Sequence, residues 1–298
     1  MAVEPADVLI IGAGASGAVV AKRLAEAGFK VVCLEQGDWL DKADYPGTRP
    51  DWELRARKEW ATSPNIRGLP ADYPIDDSDS PVAPLMYNAV GGSTIIFAGA
   101  WPRALPSDFR VRSLDGIADD WPISYFDLLP YFYRTDRDFG VSALPGNPGY
   151  PPDTEDAPMP PLPIGAAGLK VARAHAKLGW HWWPEFNSIN SVAYDGRRPC
   201  VQRSTCQSGC NEGAKASTDL THWPKAIARG ARLVTGARVR RIETNADGLA
   251  TGATWIDRDG REQFEPAKVV VLAANAIGTP RLLLLSASPG HPDGLANS

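Results

Sequence analysis

Apolar positions in this chain come in separated runs, and the first run sets the reading. Asp7-Val8-Leu9-Ile10-Ile11 is apolar after its first residue and stops at Gly12, the pattern of a strand buried on both faces. Ala18-Val19-Val20-Ala21-Lys22-Arg23-Leu24-Ala25-Glu26-Ala27 reads as a helix with small residues on its packed side, ended by Gly28. Val31 to Leu34 is a second apolar run, closed by Glu35. The order predicts a βαβ unit. From Gln36 to Pro84 periodicity lapses among turn formers, and patterning returns at Tyr87-Asn88-Ala89-Val90-Gly91-Gly92-Ser93-Thr94-Ile95-Ile96-Phe97.

Further on, Ser124 with Asp127 fits the N-cap and N3 acid of a helix that carries Tyr125, Phe126, Phe132 and Tyr133. Residues 145–163 form a proline-rich connection expected to run extended. Helices are predicted over residues 169–178 and within 217–230. Residues 232–235, 238–243 and 250–256 read as a β-meander, with turn signals at Asp247-Gly248 and Asp259-Gly260. Lys268-Val269-Val270-Val271-Leu272-Ala273-Ala274 predicts a central parallel strand buried on both faces, after which residues 275–280 turn into a final helix beginning at Arg281.

The glycines of Gly12-Ala13-Gly14-Ala15-Ser16-Gly17 have separate physical jobs. Gly12 permits a tight turn out of the strand, Gly14 lets backbone approach a pyrophosphate, and Gly17 lets the helix pack closely on the sheet. Ala15 and Ser16 present first-turn N–H groups at the positive end of the helix dipole. Glu35, followed by Gln36, stands where a ribose hydroxyl would be bound. The site expected is a dinucleotide cradle for FAD or NAD. An NAD-binding domain normally continues at once into another helix and third parallel strand; here it does not, which points to FAD.

Composition narrows the classes. With 298 residues the chain can bury a large core, and 44% hydrophobic, 22% charged and a net charge of −4 give no electrostatic case for nucleic acid. No apolar run approaches the ~20 residues that span a bilayer. Met1-Ala2-Val3-Glu4-Pro5-Ala6 has neither a basic n-region nor a long apolar h-region, so a cytoplasmic location is expected, with export alongside a partner subunit left open. Twenty-seven prolines and ten tryptophans, mainly mid-chain, argue for long ordered excursions between core elements.

Val90-Gly91-Gly92-Ser93-Thr94, the Trp121-Pro122-Ile123-Ser124 helix start, Gly213-Ala214-Lys215-Ala216-Ser217-Thr218 and Ala276-Ile277-Gly278-Thr279-Pro280-Arg281-Leu282-Leu283-Leu284-Leu285-Ser286 together resemble the glucose–methanol–choline (GMC) flavin oxidoreductases, nearest the gluconate and glucose dehydrogenase flavoprotein branch. The resemblance implies an α/β fold: an FAD-binding Rossmann-like domain of βαβ plus β-meander, with part of a substrate domain. The division it suggests is 1–40 for the βαβ unit, 41–215 for an FAD-contacting segment and partial substrate or cap region, and 216–298 for the helix, meander and return strand. It implies FAD, hydride transfer from an alcohol or sugar carbon to flavin N5, and a partner that accepts electrons, such as a cytochrome, or a small partner subunit. By residue match, Gly12, Gly14 and Gly17 would line the pyrophosphate and Glu35 the ribose. Gly91, Gly92, Ser93 and Thr94 would pass the pyrophosphate and isoalloxazine, Val239 the adenine, and Ala274 with Ala276 the diphosphate arm. Ile96-Phe97 stand where some relatives carry a flavin-bonding histidine, so covalent attachment there is excluded.

The family's catalytic His–His or His–Asn pair belongs to a C-terminal half expected beyond Ser298. The chain is therefore expected to be truncated, to lack the base, and to leave apolar surface and strand edges exposed. His175, His181, His222 and His291 read as packing or surface residues. Cys33 reads as a small buried hydrophobe, while Cys200, Cys206 and Cys210 lie close enough in sequence to share a metal or, as in some relatives of the dehydrogenase branch, an iron–sulfur cluster. Reduced thiols, or one disulfide and one thiol, are the alternatives. Three functional classes follow: an FAD-dependent alcohol or sugar oxidoreductase, a non-catalytic FAD-binding fragment of a split or truncated protein, and an NAD-dependent dehydrogenase, disfavoured for want of further βαβ units.

Overall fold

The structure is a computed structural model describing residues 4–297; residues 1–3 of the N-terminal segment read above for export, and Ser298, lie outside the described residues. In chain order the elements are β1 (Ala6–Ile11), α1 (Ala15–Glu26), β2 (Val31–Leu34), the short helices α2 (Trp52–Ala56), α3 (Pro64–Arg67) and α4 (Val111–Asp115), then α5 (Tyr125–Phe139), α6 (Ala166–Leu178), α7 (Thr218–Thr221) and α8 (Trp223–Ala228), and finally β3 (Arg232–Val234), β4 (Arg238–Thr244), β5 (Ala250–Ile256), β6 (Glu262–Leu272) and α9 (Asn275–Leu285). They divide into two units interleaved along the chain. One comprises Met1–Phe97, Thr205–Asn211 and Ser217–Ser298, the other Ala98–Ser204 and Glu212–Ala216.

The first unit is built on one six-stranded sheet in the order β3-β2-β1-β6-β5-β4. β1 pairs in parallel with β2 (Ile10 opposite Cys33) and with β6 (Ile10 opposite Val271). Because β1 is central, both its faces are apolar: Val8 and Ile10 pack with Ala18, Ala21, Cys33, Trp223 and Ala226, whereas Leu9 and Ile11 pack with Val32, Leu34, Ile242, Ala253 and Leu282. Cys33 is fully buried, as expected, and burial pushes its thiol well above the ordinary range.

Three sequence expectations are corrected here. Residues 232–234 do not open the meander: β3 pairs in parallel with β2, Cys33 opposite Leu233, and so supplies the third parallel strand that seemed missing after Glu35. The meander is β4-β5-β6, and β6 runs eleven residues, antiparallel to β5 from Glu262 to Pro266 and parallel to β1 from Ala267. β6 is also not buried on both faces. Val270 and Leu272 reach the core beside Leu9 and Ile11, but Val269 is 52% exposed at the margin of the face that α1 and α8 cover. Finally, α9 starts at Asn275, not Arg281, because the Asn275 side chain accepts from the N–H groups of Ile277 (2.8 Å) and Gly278 (2.9 Å) and closes the first turn.

The second unit holds α4, α5 and α6 and is stitched by isolated bridges, among them Ala100 with Asn187, Ser142 with Met159 and Ile189 with Lys215. α5 begins as predicted. Ser124 Oγ accepts from the Asp127 N–H (3.3 Å), and the Asp127 carboxylate accepts from the Ser124 N–H (2.8 Å). Residues 145–163 hold no helix or strand. Among the described residues no helix is long and apolar enough to cross a membrane.

Candidate cofactor site

The site is the turn between β1 and α1 together with the segments packed around it. Gly12 adopts φ +103, and a methyl group there would sit 2.5 Å from the carbonyl oxygen of Ala273, just past the end of β6. Gly17 is more constrained: its methyl would lie 2.0 Å from the Gly12 carbonyl oxygen. Gly14 differs from both. Its φ of −73 suits any residue, and the nearest atom to an added methyl is the Gly92 Cα at 3.9 Å. Nothing in the protein's own packing requires glycine at that position.

α1 leaves its first turn open. Gly14 is the N-cap, no side chain caps the helix, no acidic residue lies in the first turn, and Ala15 and Ser16 are exposed. The first-turn N–H groups and the positive end of the helix dipole thus face outward beside a bare Cα. α9 offers no such feature, since the Asn275 side chain accepts two of its first-turn N–H groups.

Glu35 does something the sequence did not signal. Its two carboxylate oxygens accept the N–H groups of Ala13 and Gly37, each at 2.8 Å, so the acid at the end of β2 braces the glycine turn. Burial pushes its pKa up while the backbone donors pull it down, and burial dominates. Gln36 donates through Nε2 to Asn88 Oδ1 at 2.7 Å.

The predicted Gly91-Gly92-Ser93-Thr94 segment is brought onto this turn. Residues Gly92–Ile95 form a single 3-10 turn. Gly91 donates to the Ala13 carbonyl at 3.0 Å, and a methyl at Gly92, which adopts φ +53, would sit 2.8 Å from the Gly14 Cα. Thr94 Oγ1 donates to the Gly91 carbonyl (2.5 Å) and accepts from the Thr218 N–H (3.0 Å), tying the segment to α7; the Ser93 hydroxyl accepts from the Tyr87 N–H at 3.3 Å. Val239 packs at the rim of the core beside Ile242, Ala274 is the N-cap of α9 and Ala276 lies exposed in its first turn.

Trp223 was missed. Fully buried, it donates through Nε1 to the Ala13 carbonyl at 2.8 Å, so a residue 210 positions away holds the turn from behind. Its distance along the chain leaves no local pattern by which to find it.

The histidines occupy packing or surface positions. His222 is buried with Nδ1 2.8 Å from Thr221 Oγ1, His175 lies edge-on to Trp180, His181 stacks on Trp183, and His291 is half-buried. Cys200 belongs to one unit, Cys206 and Cys210 to the other; no disulfide joins them, and among the described residues no group of three or more His, Cys, Asp or Glu is placed to hold a metal ion.

The GMC oxidoreductase family profile matches residues 170–294, and an NAD(P)-binding Rossmann-like domain profile matches residues 10–73. The chain is 46% identical to 2-methyl-1,2-propanediol dehydrogenase of Mycolicibacterium austroafricanum over 99% of its own length and 53% of that protein's. It is 31% identical to the fructose dehydrogenase large subunit of Gluconobacter japonicus, covering 98% of this chain and 56% of that one. The solved pyridoxine 4-oxidase from Mesorbium loti shares the fold, with a TM-score of 0.60 at 21% identity over 95% of this chain and 52% of that chain. The chain thus spans about half the length of the relatives it matches. With a glycine turn of dinucleotide-binding form near one end of the sequence and the GMC oxidoreductase profile matched over residues 170–294, the chain is similar to the GMC oxidoreductases along the half of their length that it spans.

Proposed function

We propose that this chain is the FAD-holding portion of an oxidoreductase acting on the CH–OH group of a small alcohol or sugar. Gly14 carries the reading. Glycine there is unnecessary for backbone conformation or packing, yet it lies beside an uncapped helix N-terminus and against Gly92, so a pyrophosphate would meet bare backbone and free N–H groups. When bound, the flavin supplies the hydride-accepting centre. The chain's own residues bind and orient it: Gly12 to Gly17 the diphosphate, Gly91 to Thr94 the approach to the ring system, Glu35 the shape of the turn, and Val239, Ala274 and Ala276 the adenosine side.

The named alcohol and sugar dehydrogenases among the relatives support the substrate class, and a relative named as a large subunit supports a partner subunit. An iron–sulfur cluster on Cys200, Cys206 and Cys210 has no part in this reading. Because the chain spans about half of its relatives, a second reading keeps the cofactor and drops turnover. A dye-coupled assay over a panel of alcohols and sugars separates the two.

The test of the cradle is Gly14→Ala. The variant should keep its fold, losing about 1 kcal/mol through the poorer N-cap, while FAD affinity in a flavin-fluorescence titration falls about a hundredfold. Unchanged affinity would show that the cofactor does not pass Gly14.

A further inference from the structure

Tyr73, which no motif above includes, meets Arg281 at the first turns of α9. Arg67 anchors the segment that brings Tyr73 there. Its buried guanidinium pairs with both oxygens of Asp72 (2.6 and 3.0 Å), donates to the carbonyls of Ala61 (2.6 Å) and Met86 (3.0 Å), and lies 4.2 Å from the centroid of the Tyr87 ring. Asp72 also accepts from Asn88 Nδ2 at 2.9 Å, and Asn88 accepts from Gln36, so hydrogen bonds run unbroken from Arg67 to the neighbour of Glu35. From the other side Arg238, on β4, donates to the carbonyls of Pro70 (3.1 Å) and Ala71 (3.4 Å).

Held at both ends, residues 67–73 present Tyr73 to the first turns of α9. Its hydroxyl is 3.3 Å from where a methyl at Gly278 would sit, and the Arg281 guanidinium lies 5.3 Å from its ring centroid. The ring is half-buried, and burial raises its phenol while Arg281 and Arg238 oppose that and Asp72 and Glu35 add to it. The elements that converge here, the ends of β2 and β4 and the start of α9, carry Glu35, Val239, Ala274 and Ala276.

We propose that Tyr73 and Arg281 recognise the adenosine diphosphate half of the cofactor, Tyr73 giving an aromatic surface to the adenosine and Arg281 a cation to the phosphates. Arg67, Asp72 and Arg238 act as positioning residues that latch the segment. This rests on the FAD reading and adds the residues that select its adenosine half. Aromatic surfaces hold bases through stacking without needing a hydrogen-bond code, and an arginine beside them supplies the charge that a diphosphate requires.

The experiment titrates ADP and FAD separately onto flavin-free protein, wild type and variant, by calorimetry and flavin fluorescence, with the ligand-free melting temperature as a fold control. Tyr73→Leu should weaken both ligands by the same factor, about tenfold, and Tyr73→Phe should stay within about twofold of wild type. Arg281→Ala should weaken both and reduce the salt dependence of ADP binding. Unchanged ADP affinity in Tyr73→Leu and Arg281→Ala overturns the proposal even where wild-type protein binds FAD, as does a loss for FAD that ADP does not share. Should Tyr73→Leu fail to fold, Arg281→Ala decides alone. A wild-type chain that binds neither ligand overturns the flavin reading and this proposal with it.

Discussion

Replacing Gly17 by alanine should leave little folded protein. The added methyl would stand 2.0 Å from the Gly12 carbonyl oxygen and 3.2 Å from Ile10 Cγ2, and the first of these is backbone that cannot swing aside. Relief requires α1 to lift off β1, which opens the core where Val8 and Ile10 meet Ala18 and Ala21. A cost of about 4 kcal/mol or more follows, a large part of the 5–15 kcal/mol by which a domain is ordinarily stable. Gly28→Ala is the control. Gly28 adopts φ +85 with nothing within 4 Å of an added methyl, so only the left-handed backbone costs, about 1–2 kcal/mol. Thermal melts followed by circular dichroism check the pair, and a Gly17→Ala melt matching wild type would show that helix and strand are not packed this closely. Together with Gly14→Ala, the three glycine variants separate a fold requirement from a backbone requirement and from a ligand requirement.

The second large effect is expected in the other unit, at Arg103. Its buried guanidinium pairs with Asp136 and Asp153, each at 2.6 Å, lies 4.9 Å from the Tyr133 ring centroid, and sits on a backbone whose carbonyl accepts from Tyr150. Trp101 donates to the second oxygen of Asp136 at 3.0 Å. Burial alone would push Asp136 upward, and the two carboxylates in turn push the guanidinium's pKa upward. Arg103→Met would strand a carboxylate that is buried with nothing to balance its charge, at a cost of about 3–5 kcal/mol. Adding Asp136→Leu removes that charge and should recover part of the loss, because the expense lies in the uncompensated ion rather than in the missing pair. Urea denaturation measures both. A single variant as stable as wild type, or a double variant worse than the sum of its parts, would contradict the role assigned to this network.

Much of the glycine turn is legible because its determinants are local. Gly12, Gly14, Gly17 and Glu35 stand at fixed separations set by one strand, one helix and a second strand, and the Ser124–Asp127 cap is fixed by four consecutive residues. What failed was partner choice. Arg232-Leu233-Val234 sits four residues before the next strand and reads as the first limb of a hairpin, yet it pairs with β2 from the far end of the sequence, because periodicity says which face is buried and not which strand lies alongside. The start of α9 was hidden for a chemical reason: Asn275, Gly278 and Pro280 are turn formers, and only the φ of +63 at Asn275 with its side chain folded onto the next N–H groups makes them a helix start. Trp223 reaches the glycine turn from a distant segment that carries no pattern of its own. Glu35 was found for its position, while its grip on Ala13 and Gly37 depends on a fold that two residue names do not specify.

The most direct measurement is the absorbance spectrum of the purified chain, before and after denaturation and removal of the protein. A flavin spectrum that passes into the supernatant as intact FAD, roughly one per chain, is the predicted result. A colourless protein that binds NADH and takes up no FAD on reconstitution would contradict the assignment of the Gly12–Gly17 turn to a flavin.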